Sequence, residues 1–164
     1  MKDKFAPLRE VSRGHVGLIW ELAQAGGELD EEDARLAEVL KQHPDYYDVW
    51  EEAQRMGGEE VTRDGVNPFV HAAIHQVVEN QLAANDPPQT GETLEVLVRA
   101  GYDRHEAIHA IGRVVSDEIF EMLKEKRPYD KDGFVAALED LARTEARRAR
   151  RGSRGRGGRR GRGR

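Results

Sequence analysis

Five residues at two places in this chain, four histidines and a glutamate, could do chemistry. His71 and His75 stand four apart in Val70-His71-Ala72-Ala73-Ile74-His75, and His105 and His109 stand four apart in Arg104-His105-Glu106-Ala107-Ile108-His109. On a helix, that spacing brings two imidazoles to one face within reach of each other. Imidazole is a common metal ligand, and the two pairs use four of the six histidines. With no cysteine in the chain, a metal site must be built from nitrogen and oxygen. Glu79 lies one turn beyond His75 and adds a third donor to the same helix. The set His71, His75, His105, His109 and Glu79 predicts one transition metal ion, zinc or iron. Glu118 and Asp117, further along the second helix, are secondary candidates.

The elements that must carry these residues read as helices. No segment sustains a period-two alternation. A first helix is predicted over about 14–25, stopped by Gly26-Gly27. Asp30 caps a second over about 31–42, and Pro44 opens a third that ends near Met56. A polar loop covers 57–66. Asn67-Pro68 starts the first histidine helix, which runs to about Ala84. Thr90 is read as the cap of a short helix stopping at Gly101. Asp103 caps the second histidine helix, about 104–126, and the last helix spans about 131–146 with Phe134, Val135, Leu138 and Leu141 as its buried stripe. The fold class is therefore all-α, a single compact helical domain of six or seven helices.

On these helices His71 shares its face with Ile74, His75, Val78 and Leu82. His105 shares its face with Ile108, His109, Val115 and Ile119. All four imidazoles fall on apolar stripes, with Gly112 beside the second pair. Carboxylate-bridged two-metal bundles use Glu-x-x-His from facing helices; here the acids are few on these stripes, which favours one ion over two. His105-Glu106-x-x-His109 also fits the zinc-protease helix pattern. However, Asp103-Arg104-His105-Glu106 is a capping box, so Glu106 has a local role in holding the helix start.

Charge divides the chain sharply. Residues 1–146 hold 16 Lys and Arg against 31 Asp and Glu, a net of −15, while residues 147–164 hold ten Arg and no acid. The first segment is an acidic helical domain. The second, with Arg147, Arg148, Arg150, Arg151, Arg154, Arg156, Arg159, Arg160, Arg162 and Arg164 among glycines, is predicted to be a disordered arm. Arginine offers bidentate contacts to phosphate and a flat surface for bases, so the expected partner of this arm is RNA, bound without strong sequence preference. No apolar run reaches the roughly 20 residues that span a bilayer, and the first residues lack a signal-peptide pattern; the expectation is a cytoplasmic protein with no membrane partner.

The stretch Asn67-Pro68-Phe69-Val70-His71-Ala72-Ala73-Ile74-His75, followed by Glu79-Asn80-Gln81-Leu82, resembles an uncharacterised bacterial family of small all-helical proteins. The family carries an Asn-Pro-Phe-x-His-x-x-x-His helix and a second His-x-x-x-His. His43-Pro44-Asp45-Tyr46-Tyr47 fits its early region, and the resemblance spans about 35–125. It implies the helical fold and draws attention to the histidines, and it supplies no reaction. Two alternatives to a metal-binding, RNA-associating protein follow from the same residues: a metal-dependent enzyme acting on a small molecule, and a metal-free protein-interaction module with core histidines.

Overall fold

The computed structural model describes residues 6–57 and 59–157, with side chains for 12–57 and 59–153. The described residues form seven helices: α1 Ala6–Ala25, α2 Glu31–Lys41, α3 Tyr47–Glu52, α4 Pro68–Ala84, α5 Pro88–Arg99, α6 Arg104–Glu125 and α7 Lys131–Gly157, with a 3₁₀ turn, Pro44–Tyr46, before α3. Among them there is no strand, and one antiparallel bridge joins Arg63 and Val66. Asp64 and Gly65 both take positive φ in that tight turn, the conformation that favours an Asp-Gly pair. No described helix is long and apolar enough to cross a membrane. The fold class is all-α, as the sequence predicts. The chain divides into two compact units, residues 1–80 and 81–164.

In the first unit, apolar residues at helical spacing make the core. Val16, Ile19 and Trp20 of α1 meet Leu36, Ala37, Val39 and Leu40 of α2 and Val49 and Trp50 of α3, with Ala72 of α4. The Trp20 and Tyr47 rings lie 4.7 Å apart. Gly17 permits the close approach of α1 to the end of α3, because a Cβ there would come within 2.9 Å of the Gln54 backbone nitrogen. Arg13 is also buried; its guanidinium donates to the Gly57 carbonyl and lies 5.4 Å above the Phe69 ring. The helix α1 starts earlier than predicted. Pro7 is tolerated in a first turn, and a single interior glycine, Gly14, costs only about 1 kcal/mol. The region after Pro44 is shorter than one continuous helix: it is a 3₁₀ turn and a short α3.

In the second unit, α5 packs on both α6 and α7. Leu97, Ile108, Ile111, Val115, Phe134 and Leu138 are buried. The Thr93 hydroxyl donates to the Leu138 carbonyl at 3.3 Å. Thr90 does not cap α5: Pro87 is the N-cap, and Thr90 is buried one turn in, donating to Gln81 Oε1 at 2.9 Å. Two prolines in sequence set the helix start, so the threonine is free to serve tertiary packing.

The fork between Glu118 and Arg127 ties the end of α6 to the start of α7. Arg127 donates through both terminal nitrogens, at 2.8 and 2.9 Å, and the Asp130 N–H adds a third bond at 2.9 Å. These bonds hold the Glu118 carboxyl down at about 2, from its usual 4.5, and the guanidinium is the leading cause. The same contact raises Arg127 above its ordinary value. A depressed carboxyl stabilises the fold fully above its unfolded value, and that contribution is lost as pH falls through its folded value. Glu118→Gln is therefore expected to lower the unfolding free energy by about 1–2 kcal/mol near neutral pH, allowing for solvent screening. In urea melts the gap between variant and wild type should begin to close below about pH 4.5 and vanish near about pH 2. A gap that is constant over that range contradicts this role.

Helix α7 continues to Gly157, past the predicted end near residue 146. Arginine and alanine are strong helix formers, and no glycine interrupts the run from Phe134 until Gly152. The buried Glu145 anchors this stretch: it accepts from the Tyr102 hydroxyl at 3.1 Å and from Arg148 at 2.7 Å.

Candidate metal centre

Three histidines meet in the first unit. His43 leaves the end of α2 just before Pro44 and is 7% exposed. Its Nδ1 donates to the Val39 carbonyl at 2.7 Å. A proton fixed on Nδ1 makes Nε2 the acceptor in its contact with His71, and a carbonyl on Nδ1 is the orientation that outer-sphere carbonyls give metal-binding histidines. The Tyr46 ring stacks on the imidazole, 6.0 Å away and 5° from parallel. His71 and His75 come from α4, whose start Asn67 holds by accepting from the N–H groups of Phe69 and Val70 at 3.0 and 3.2 Å. The His71 and His75 rings are 4.7 Å apart, and each lies 4.7 Å from His43. His75 is 2% exposed, whereas His71 is half-buried.

The second unit supplies a pair. His105 and His109 occupy the opening turns of α6 with rings 4.4 Å apart. The capping box predicted there is formed: Asp103 accepts from the Glu106 N–H at 2.8 Å, and Glu106 accepts from the Asp103 N–H at 3.1 Å. Glu106 is thus committed to the helix start, away from the role of a protease base. The stripe beyond the pair is buried at Ile108 and Val115 but ends before Ile119, which is 40% exposed.

The five histidines thus gather as two groups, His43, His71 and His75 in the first unit and His105 and His109 in the second. The Nε2 atoms of His75 and His109 are shut off from solvent. Of the predicted histidines, His71 and His75 meet in the first unit and His105 and His109 in the second, and His71 Nε2 is 2.9 Å from Nε2 of His43. Glu79 is half-buried on α4. A further helical turn carries it about 6 Å along the α4 axis from His75. Of the secondary candidates, Glu118 is taken up by Arg127 and Asp117 is exposed. Sequence reasoning missed His43 as a donor. Its only local signal is the His43-Pro44 start of the 3₁₀ turn, and no spacing relates it to the other histidines. The donor set of the first unit fits a transition metal: three imidazoles converge, with one tautomer fixed by a backbone carbonyl.

The arginines lie elsewhere. Arg147, Arg148, Arg150 and Arg151 are exposed on α7. Arg154 and Arg156 fall in its last turn, and Arg159, Arg160, Arg162 and Arg164 lie outside the described residues.

A family profile described as a domain of unknown function (DUF1841) matches residues 9–140. No curated protein and no solved structure matches the chain.

Proposed function

Because the chain belongs to the DUF1841 family, whose description assigns no activity, we propose from its own residues that it is a cytoplasmic metal-binding protein. Its ion is a single transition metal, zinc or iron, held by His43, His71 and His75 of the first unit. The observation that carries this reading is the mutual approach of these three imidazole rings, 4.7 Å on each side. Two supports stand beside it. His43 and His75 are buried, where an imidazole must be matched by specific partners. In addition, the Val39 carbonyl accepts from His43 Nδ1 and so turns its Nε2 toward His71. Equilibrium dialysis of the full chain against zinc or ferrous iron should give one ion per chain. The variant with alanine at all three positions should bind none at the same free metal. Equal uptake by the two proteins would place the ion elsewhere.

The arginine segment supports a second role, association with RNA. Four arginines are exposed along α7, on a chain whose remaining charge is strongly acidic, so affinity for a polyanion belongs to this segment. Deleting residues 147–164 is expected to abolish RNA binding. The wild-type affinity should fall steeply with salt, with a log–log slope of roughly −0.7 for each phosphate neutralised on a single strand. Unchanged affinity in the deletion variant contradicts this role.

A further inference from the structure

Helix α7 sets its arginines in a fixed array. The packed face of the helix is marked by Phe134, Leu138 and Glu145, which are buried, and by Leu141, which is half-buried. At about 100° per residue, Arg143, Arg147 and Arg150 fall within roughly 60° of one another on the side opposite that face. All three are exposed, as is Arg151 at their flank. Arg148 pairs with Glu145 at 2.7 Å and Arg143 lies 4.0 Å from Asp140, while among the described residues Arg147, Arg150 and Arg151 have no ion pair. We propose that these arginines form a ridge for a nucleic-acid duplex, so that the RNA taken by this segment is double-helical in preference to single-stranded. The proposal rests on the RNA reading above.

The helix itself favours two strands over one. It runs on to Gly157, and the Ser153 hydroxyl donates back to the Arg150 carbonyl at 3.1 Å, a bond closed within one helical turn. Positions along the axis are therefore set: about 6 Å from Arg143 to Arg147, and about 4.5 Å from Arg147 to Arg150. A preordered row of cations meets the fixed phosphate rows of a duplex with little further ordering, whereas a single strand has to be ordered by the contact.

The spread of the side chains agrees. Arg150 and Arg151, neighbours in sequence, leave the helix about 100° apart, so a helix lying along a groove presents one to each bordering strand. A helix is about 10–12 Å across with its side chains, and the wide, shallow minor groove of A-form RNA offers phosphates and 2′-hydroxyls to such a surface. Contacts of this kind fall on phosphate and ribose, so duplexes of different sequence should bind alike. In addition, no aromatic residue follows Phe134, and single-strand binders stack successive bases on aromatic rings.

The test measures binding of the full chain, by fluorescence anisotropy at one salt concentration, to a duplex RNA of about 16 base pairs and to one of its strands with no self-pairing. The wild type should prefer the duplex by about tenfold or more. Ala149→Pro keeps every arginine, but its ring meets the Glu145 carbonyl and breaks the helix; its preference should fall to within about twofold. Gly152→Ala, whose added carbon meets open space, firms the same helix without touching its packed part. That variant should tighten duplex binding by about threefold. A wild type that binds the strand as tightly as the duplex would overturn the duplex assignment while leaving RNA association intact. So would a preference that is unchanged in both Ala149→Pro and Gly152→Ala. No binding of either probe by the wild type would overturn the RNA reading and this proposal with it.

Discussion

Alanine in place of His75 is expected to strip the ion from the protein and to erase most of the stabilisation that metal confers. His75 is the buried member of the α4 pair, with the His43 and His71 rings both 4.7 Å away. Its loss removes the buried α4 donor of the three-histidine group. A metal at a thousand times its dissociation constant stabilises the native state by about 4 kcal/mol. In a domain of this size that is a rise in Tm on the order of 10 °C. The variant at the same metal concentration should gain less than about 1 kcal/mol. In the metal-free state the substitution should cost only about 1–2 kcal/mol, as is usual for one buried side chain. Thermal melts with added metal and with a chelator separate the two effects. A metal-induced shift as large in His75→Ala as in the wild type would place the ion away from this histidine.

Trp50→Ala is expected to cost the fold about 3–5 kcal/mol, the usual price of truncating a buried Trp to Ala. Trp50 is 1% exposed. Its indole N–H donates to the Leu40 carbonyl at 3.3 Å, and its ring lies 5.7 Å from Tyr46 and 5.6 Å from Phe69. Tyr46 in turn stacks on His43. The tryptophan therefore braces both the end of α2 and the aromatic neighbour of a candidate ligand. Metal affinity should fall together with stability in Trp50→Ala. Trp50→Phe keeps much of the packing and gives up the hydrogen bond, so it should lose less than half as much. Urea denaturation gives the stabilities, and dialysis gives the affinities. A loss below about 1 kcal/mol in Trp50→Ala would show that the site's support lies elsewhere.

Local signals in the sequence mark the helices that carry the histidines. Asn67-Pro68 and the Asp103/Glu106 capping box both mark helix starts through bonds closed within three residues, and the structure forms those bonds. His105 and His109 were legible as a pair because spacing along one helix is a property of one helix. His43 was not, since its approach to His71 depends on how α2, the 3₁₀ turn and α4 pack, and no short spacing encodes that. Thr90 misled for a related reason. Threonine is a common cap, but here burial and a partner at Gln81 decided its place. At the C-terminal end, the change to arginine and glycine suggested a boundary near residue 146, whereas helix propensity and the buried Glu145 carry α7 onward.

A transition metal ion held by histidines of α4 and the end of α2 is the central claim. Elemental analysis of full-length protein purified without a histidine tag tests it most directly. The account predicts close to one equivalent of a transition metal per chain, as isolated or after exposure to the metal, with His75→Ala carrying almost none. Less than about a tenth of an equivalent as isolated, with none taken up on addition, would contradict it and leave the histidines as core residues of a metal-free protein.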